Sequence, residues 1–184
     1  MIERPNYLQE LVNFKEKDLI KIVTGIRRCG KSTLFDLYIE YLLANGVNEN
    51  QIIHMNLEDY EFNDILDYND LYIYISSKLI KDKINYVFID EVQKITDFQK
   101  ACNSLYIKKN VDLYITGSNS KLLSGELATL LSGRYVEIKM LPLSFKEYIS
   151  YVGEVDIQKK YVDYILTYFP CFSKHFKKII HLQL

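Results

Sequence analysis

Gly25-Ile26-Arg27-Arg28-Cys29-Gly30-Lys31-Ser32 decides the reading of this chain, because it satisfies the pattern G-x-x-x-x-G-K-[ST]. Each fixed position has a physical task. The two glycines let the backbone wrap so that successive N–H groups face one anion. A helix beginning at the end of the loop aims the positive end of its dipole at the same place. Lys31 is long enough to reach the β- and γ-phosphates of a nucleotide, and the Ser32 hydroxyl suits Mg²⁺. The flanking sequence supplies the required context. Asp18-Leu19-Ile20-Lys21-Ile22-Val23 is a β-branched run that reads as a buried strand ending at Thr24-Gly25. Leu34, Phe35, Tyr38 and Leu42 then recur at helical spacing between Ser32 and Asn45, and Gly46 stops the helix. The whole loop from Gly25 to Ser32, with Thr33 following, is therefore the candidate phosphate cradle.

Two further strands end in chemistry. Tyr86-Val87-Phe88-Ile89 runs straight into Asp90-Glu91, and ligands of open α/β sheets bind at the C-terminal ends of strands. Asp90 is the expected Mg²⁺ partner of Ser32, and Glu91 the expected general base for an attacking water. Leu113-Tyr114-Ile115-Thr116 ends in Gly117-Ser118-Asn119-Ser120. Asn119, with Ser118 as second choice, is placed to orient that water. Both residues equally suit the cap of a following helix.

Arg134, just ahead of the run Tyr135–Met140, is a candidate charge-stabilising finger, acting in cis or from a neighbouring molecule. A surface ion pair explains it equally well. Cys29 contributes backbone to the loop, and a thiol at a helix N-terminus is favoured as thiolate. Glu58 and Asp59 either border the site or, the better reading, form a solvated turn, and His54 reads as a packed strand residue. Cys171 and His175 lack a second ligand pair and make a poor metal site.

Along the chain, strands expected at 18–23, 51–57, 85–89, 111–116 and 135–140 alternate with helices at 32–45, 70–80, 98–107, 121–131, 144–152 and 156–168. Continuous apolar strands alternating with helices imply an α/β fold of three layers, with a mostly parallel five-stranded sheet covered on both faces. No internal repeat, low-complexity tract or clear linker interrupts it.

Composition narrows the classes. The 184 residues suffice for one well-buried domain. With 23 Lys+Arg against 24 Asp+Glu, the net charge of −1 argues against a polybasic nucleic-acid arm or an acidic tail. Nucleic acid is left as a partner class that charge does not support. The 48% hydrophobic and 26% charged fractions are globular, which excludes wholesale disorder. No apolar run reaches the roughly 18 residues of a membrane span, and Met1-Ile2-Glu3-Arg4-Pro5 lacks the apolar core of a signal peptide. Three scattered cysteines form no disulfide framework, so a reducing, cytoplasmic setting is expected.

These segments together resemble the AAA+ ATPases over about residues 18–148: a Walker A segment at Gly25–Ser32, a Walker B segment at Ile89-Asp90-Glu91 and a sensor strand ending Thr116-Gly117-Ser118-Asn119. Within that superfamily the chain is similar to a prokaryotic group with a Gly-x-Arg-Arg-x-Gly-Lys-Ser/Thr loop. The group shares the strand end Ile89 to Gln93, the segment Gly117 to Ser120, the element Leu131 to Arg134 and the string Leu141 to Tyr148. The resemblance implies the P-loop NTPase fold, with the Walker A and Walker B strands separated by the sensor strand. It also implies ATP and Mg²⁺ as cofactors, ATP hydrolysis as the activity, an unidentified protein partner and a homo-oligomer. Members of the group usually continue into a C-terminal domain. Here no glycine follows Gly153, and Cys171–Leu184 departs from the group's pattern. The expected organisation is an ATPase domain over 1–168 and a tail over 169–184, as in a shortened product. A module that binds nucleotide with little hydrolysis is the alternative function.

Overall fold

The computed structural model describes residues 4–117, 131, 133–152 and 157–168. The chain divides into two compact units that meet in sequence between Met140 and Leu141. In the first, α1 (Pro5–Asn13) precedes β1 (Ile20–Gly25), α2 (Lys31–Ala44), β2 (Ile52–Asn56), α3 (Tyr68–Lys78), β3 (Asn85–Asp90), α4 (Phe98–Tyr106), β4 (Val111–Gly117) and β5 (Tyr135–Met140). The second contains α5 (Phe145–Val152) and α6 (Ile157–Tyr168). All five strands fall where the apolar runs predict them. The helix expected over 121–131 lies outside the described residues except for Leu131, which is buried.

The sheet order is β2-β3-β4-β1-β5, and every pairing is parallel. Strand β1, which leads into the Gly25–Ser32 loop, and the acid-ended strand β3 are thus separated by β4, the order of a P-loop NTPase. Alternation along the strands sorts two cores. Ile20, Ile22, Val87, Ile89, Leu113 and Ile115 lie with Leu71 and Ile75 of α3 and Ala101, Cys102 and Leu105 of α4. Val23, Tyr86, Phe88, Tyr114, Ile138 and Met140 lie with Leu11 of α1 and Leu34, Phe35, Tyr38 and Leu42 of α2. On this second face the Phe88 ring stacks on Tyr114 with centroids 4.7 Å apart, and Phe35 meets Phe88 edge-on at 5.2 Å.

The helix α1 escapes the sequence reading. Pro5 looks like a break, but it stands at the start of the helix, where its missing N–H costs nothing. His54 also departs from expectation: it is exposed on the edge strand β2, with its ring set edge-on to Phe88 at 6.2 Å.

In the second unit, Ser144 and Glu147 form a reciprocal cap on α5. The Ser144 N–H donates to Glu147 Oε2 at 2.6 Å, and the Glu147 N–H donates to Ser144 Oγ at 3.2 Å. Phe145 and Tyr148 of α5 pack on Tyr164 of α6, with centroids 5.4 and 5.5 Å apart.

A charged cluster lies inside the α2-covered face, toward the start of the strands. Lys21 and Asp112 are buried and ion-paired. Lys21 Nζ also donates to Lys17 O, while Asp112 Oδ2 accepts from Tyr114 OH at 2.7 Å and from the Glu16 N–H at 2.8 Å. Tyr114 OH in turn meets Tyr38 OH of α2 at 3.0 Å. Burial drives the Tyr114 and Tyr38 phenols above their ordinary range, so they stay neutral donors. Removing one partner of such a pair leaves a buried, uncompensated charge. Lys21→Met is expected to lower the unfolding free energy by about 3 kcal/mol, read by urea denaturation. The double variant Lys21→Met/Asp112→Leu is expected to lose much less.

Candidate functional site

The loop between β1 and α2 begins at the C-terminal end of the sheet. It turns through two left-handed residues, Arg28 at φ 67° and Gly30 at φ 93°. Only the second has a residue type suited to that region. Ile26, Arg27 and Arg28 face solvent, whereas Cys29 is buried. Lys31 opens α2 with its side chain only 5% exposed. Its ammonium donates to Gly25 O at 3.4 Å and to Ile26 O at 3.5 Å, inside the loop. Ser32 is exposed at the helix start and Thr33 half-buried.

β3 delivers the two carboxylates to the same end. Asp90 is 1% exposed, and its Oδ1 accepts a hydrogen bond from Thr116 Oγ1 of β4. The same hydroxyl oxygen accepts from the Glu91 N–H at 3.0 Å. Thr116 therefore donates to one acid and receives from the backbone of the next. Glu91 stands in the left-handed region at φ 54°, a strained conformation for a residue with a side chain. Its carboxylate lies between two groups: Oε1 is 3.6 Å from Lys31 Nζ, and Oε2 accepts from Gln93 Nε2. The other amide atom of Gln93, Oε1, is buried without a hydrogen-bond partner.

Several sequence assignments are thereby brought together and others are not. The structure gathers Lys31, Asp90 and Glu91 at the loop. It adds Thr116, Gln93 and Arg4, whose Nη1 donates to Cys29 O, none of which the sequence reading selects. Asn119 and Ser118 lie outside the described residues, as do Cys171 and His175. Glu58 and Asp59 are exposed in a turn, as expected.

Arg134 is not at this site. Ile20 N donates to Arg134 O, and β5 pairs with β1 in parallel from Tyr135 opposite Ile20. Arg134 thus sits at the opposite end of β1 from Gly25, a strand length of about 17 Å away. Its guanidinium bonds Asn103 Oδ1 and lies 5.7 Å from the Tyr106 ring centroid. Geometry excludes it as a finger toward its own loop.

Cys29 also requires correction. Burial pushes its thiol above the ordinary range, and the nearby charges of Lys31 and Arg4 only partly offset this. A sealed neutral thiol is not a reactive one.

Among the described residues, no group of three or more His, Cys, Asp or Glu could hold a metal ion, and no helix is long and apolar enough to cross a membrane.

Residues 17–149 match the AAA domain family. A strongly similar relative is a Haemophilus influenzae protein described only as uncharacterized, 48% identical over 165 residues, which are 89% of this chain and 41% of the relative. Another is the uncharacterized protein MJ1544 of Methanocaldococcus jannaschii, 34% identical over 145 residues, 77% of this chain and 30% of that protein. The chain thus spans less than half the length of these relatives. Among solved structures, Saccharomyces cerevisiae RIF2 superposes with a TM-score of 0.54 at 19% identity, covering 85% of this chain and 66% of that one, which is a likeness of fold. The chain belongs to the AAA domain family, a class of nucleotide-binding, ATPase-type domains.

Close packing beneath the loop makes Gly25 sensitive to sterics rather than to φ. A Cβ there would lie 2.5 Å from Met140 O and 2.6 Å from Cys29 Sγ. Gly25→Ala is expected to destabilise the protein by about 1–3 kcal/mol, measured as a lower urea midpoint at unchanged slope.

Proposed function

We propose that the chain binds ATP with Mg²⁺ and hydrolyses it at the site formed by the Gly25–Ser32 loop and the acids that end β3. One observation carries the reading: the Lys31 ammonium, at the start of α2, and the Glu91 carboxylate, just beyond β3, meet at 3.6 Å beside the buried Asp90. The loop amides and Lys31 bind the phosphates as the Walker A segment. The Ser32 hydroxyl and the Asp90 carboxylate fit Mg²⁺ by their chemistry, since that ion takes hard oxygen ligands from one or two side chains and completes its shell with phosphate and water. Bound there, the ion neutralises charge on the β- and γ-phosphates.

Lys31 and Glu91 neutralise each other in the structure. Recruitment of Lys31 by a phosphate frees Glu91 Oε1 to accept a proton from water, while Gln93 keeps hold of Oε2. Glu91 is thus the general base. Lys31→Ala is expected to abolish nucleotide binding in a titration with ATP and Mg²⁺. Glu91→Gln is expected to bind ATP normally but to turn over at least about 100-fold more slowly. Equal hydrolysis by wild type and Glu91→Gln would reject the assignment.

The position of Arg134 favours a second reading, a nucleotide-dependent binding module that hydrolyses little as a single chain. With Arg134 at the far end of β1 and Arg4 engaged with the Cys29 carbonyl, an arginine at the phosphates would come from the exposed Arg27 or Arg28 or from a neighbouring copy. If a neighbour supplies Arg134, turnover per chain rises with protein concentration, and Arg134→Ala removes that rise without weakening ATP binding. A rate independent of concentration, with the chain monomeric throughout by light scattering, excludes delivery in trans.

A further inference from the structure

We propose that Arg4, on the N-terminal helix, is a positioning residue for the phosphate-binding loop, so that α1 is a working part of the nucleotide site; this rests on the ATP-binding reading above. Arg4 flanks the start of α1, yet it is only 6% exposed, and its Nη1 donates to the carbonyl of Cys29 at 3.2 Å. Twenty-five residues of chain separate the two partners. The guanidinium also lies 4.5 Å from the centroid of the Tyr7 ring, one turn further along α1.

The contact matters because of which carbonyl is held. Cys29 and Gly30 share one trans peptide plane, the chain having no cis bond, and in such a plane C=O and N–H point in opposite directions. Fixing Cys29 O toward Arg4 therefore aims the Gly30 N–H away from Arg4. That N–H belongs to the second glycine of the loop, in the middle of the amides that a phosphate would use. Gly30 is left-handed at φ 93°, a residue free to rotate its peptide unless something pins it.

Arginine suits the task. Its fork holds direction as well as charge, and its weaker hydration lowers the cost of burial relative to lysine. The charge also reaches the loop electrostatically, since Arg4 is among the groups that oppose the burial-driven rise of the Cys29 thiol. The helix that carries Arg4 is anchored independently by Leu11, fully buried on the α2-covered face. Helix docking and loop positioning are thus separable by mutation.

The test compares Arg4→Met, Arg4→Lys, Leu11→Ala and Lys31→Ala in the full chain. Mg²⁺-ATP and Mg²⁺-ADP affinities are read by calorimetric titration, and folding by melting temperature. Arg4→Met is expected to weaken both nucleotides about tenfold, the loss of one charge-assisted hydrogen bond. Its KM rises while kcat stays within about twofold, since positioning of the ground state is affected rather than the base. Arg4→Lys is expected to fall between wild type and Arg4→Met. Leu11→Ala is expected to melt earlier while binding nucleotide within about twofold of wild type.

Wild-type affinity in Arg4→Met, or in Arg4→Lys if the methionine variant does not fold, overturns the proposal. So does an equal loss in Leu11→Ala, which would mean that Arg4 acts only by docking the helix. If the wild type itself binds no more nucleotide than Lys31→Ala, the ATP-binding reading falls instead.

Discussion

Three strands running in parallel side by side, β3, β4 and β1, impose the constraint on which everything else depends. A parallel ladder sends every C-terminus out at one end of the sheet, so a loop, a pair of acids and a polar strand end are gathered without any being close in sequence. The hydroxyl of Thr116 then converts proximity into geometry. It has a single proton, given to Asp90, and its lone pair receives the Glu91 N–H. The first acid is oriented by its side chain and the second by its backbone, through one atom of the middle strand.

Around that atom the site balances its charges. Lys31 is nearly buried, which would be costly for an ammonium left alone. Two loop carbonyls and the Glu91 carboxylate offset that cost. Glu91 is held in a left-handed backbone conformation and is shared between Lys31 and Gln93. Strain of this kind persists where surrounding contacts over-determine it, and here they do. The buried, unpartnered Oε1 of Gln93 beside it is a hydrogen-bond acceptor within the same group of side chains.

Most of the fold was legible because it rests on strong periodic signals. The β-branched runs and the 3.6-residue spacing of Leu34, Phe35, Tyr38 and Leu42 describe faces that have to be buried, and burial follows pattern. What was missed depended on direction or on magnitude. Pro5 has the look of a breaker, although at the first position of a helix proline is a favoured starter. Thr116 is less conspicuous than the polar residues beyond it, although alternation from Asp112 and Tyr114 sets it on the same side of β4 as those two. Arg134 lies near a strand in sequence, but a residue preceding a parallel strand emerges at the end away from the Gly25–Ser32 loop. For Cys29 the place at a helix start favours a thiolate, but burial, invisible in one dimension, raises the thiol despite the charges of Lys31 and Arg4. The string Leu141–Tyr148, read only as a group signature, contains a capping pair, Ser144 and Glu147, and two aromatic anchors for α6.

The Lys21–Asp112 pair has a consequence for how the sheet assembles. Both residues face the α2 side, on neighbouring strands whose alignment sets Lys21 beside Tyr114, two residues beyond Asp112. Were β4 to slip by a single residue along β1, its side chains would all change sides. The carboxylate would then enter the oily layer of Ile20, Ile22 and Val87, and the lysine would be stranded on the far side of the backbone. Two ions without counterparts in such surroundings are a heavy penalty on the shifted pairing, added to the loss of apolar contact. The pair therefore works as a key for strand alignment, admitting the one arrangement in which Thr116 comes to rest between Asp90 and Glu91.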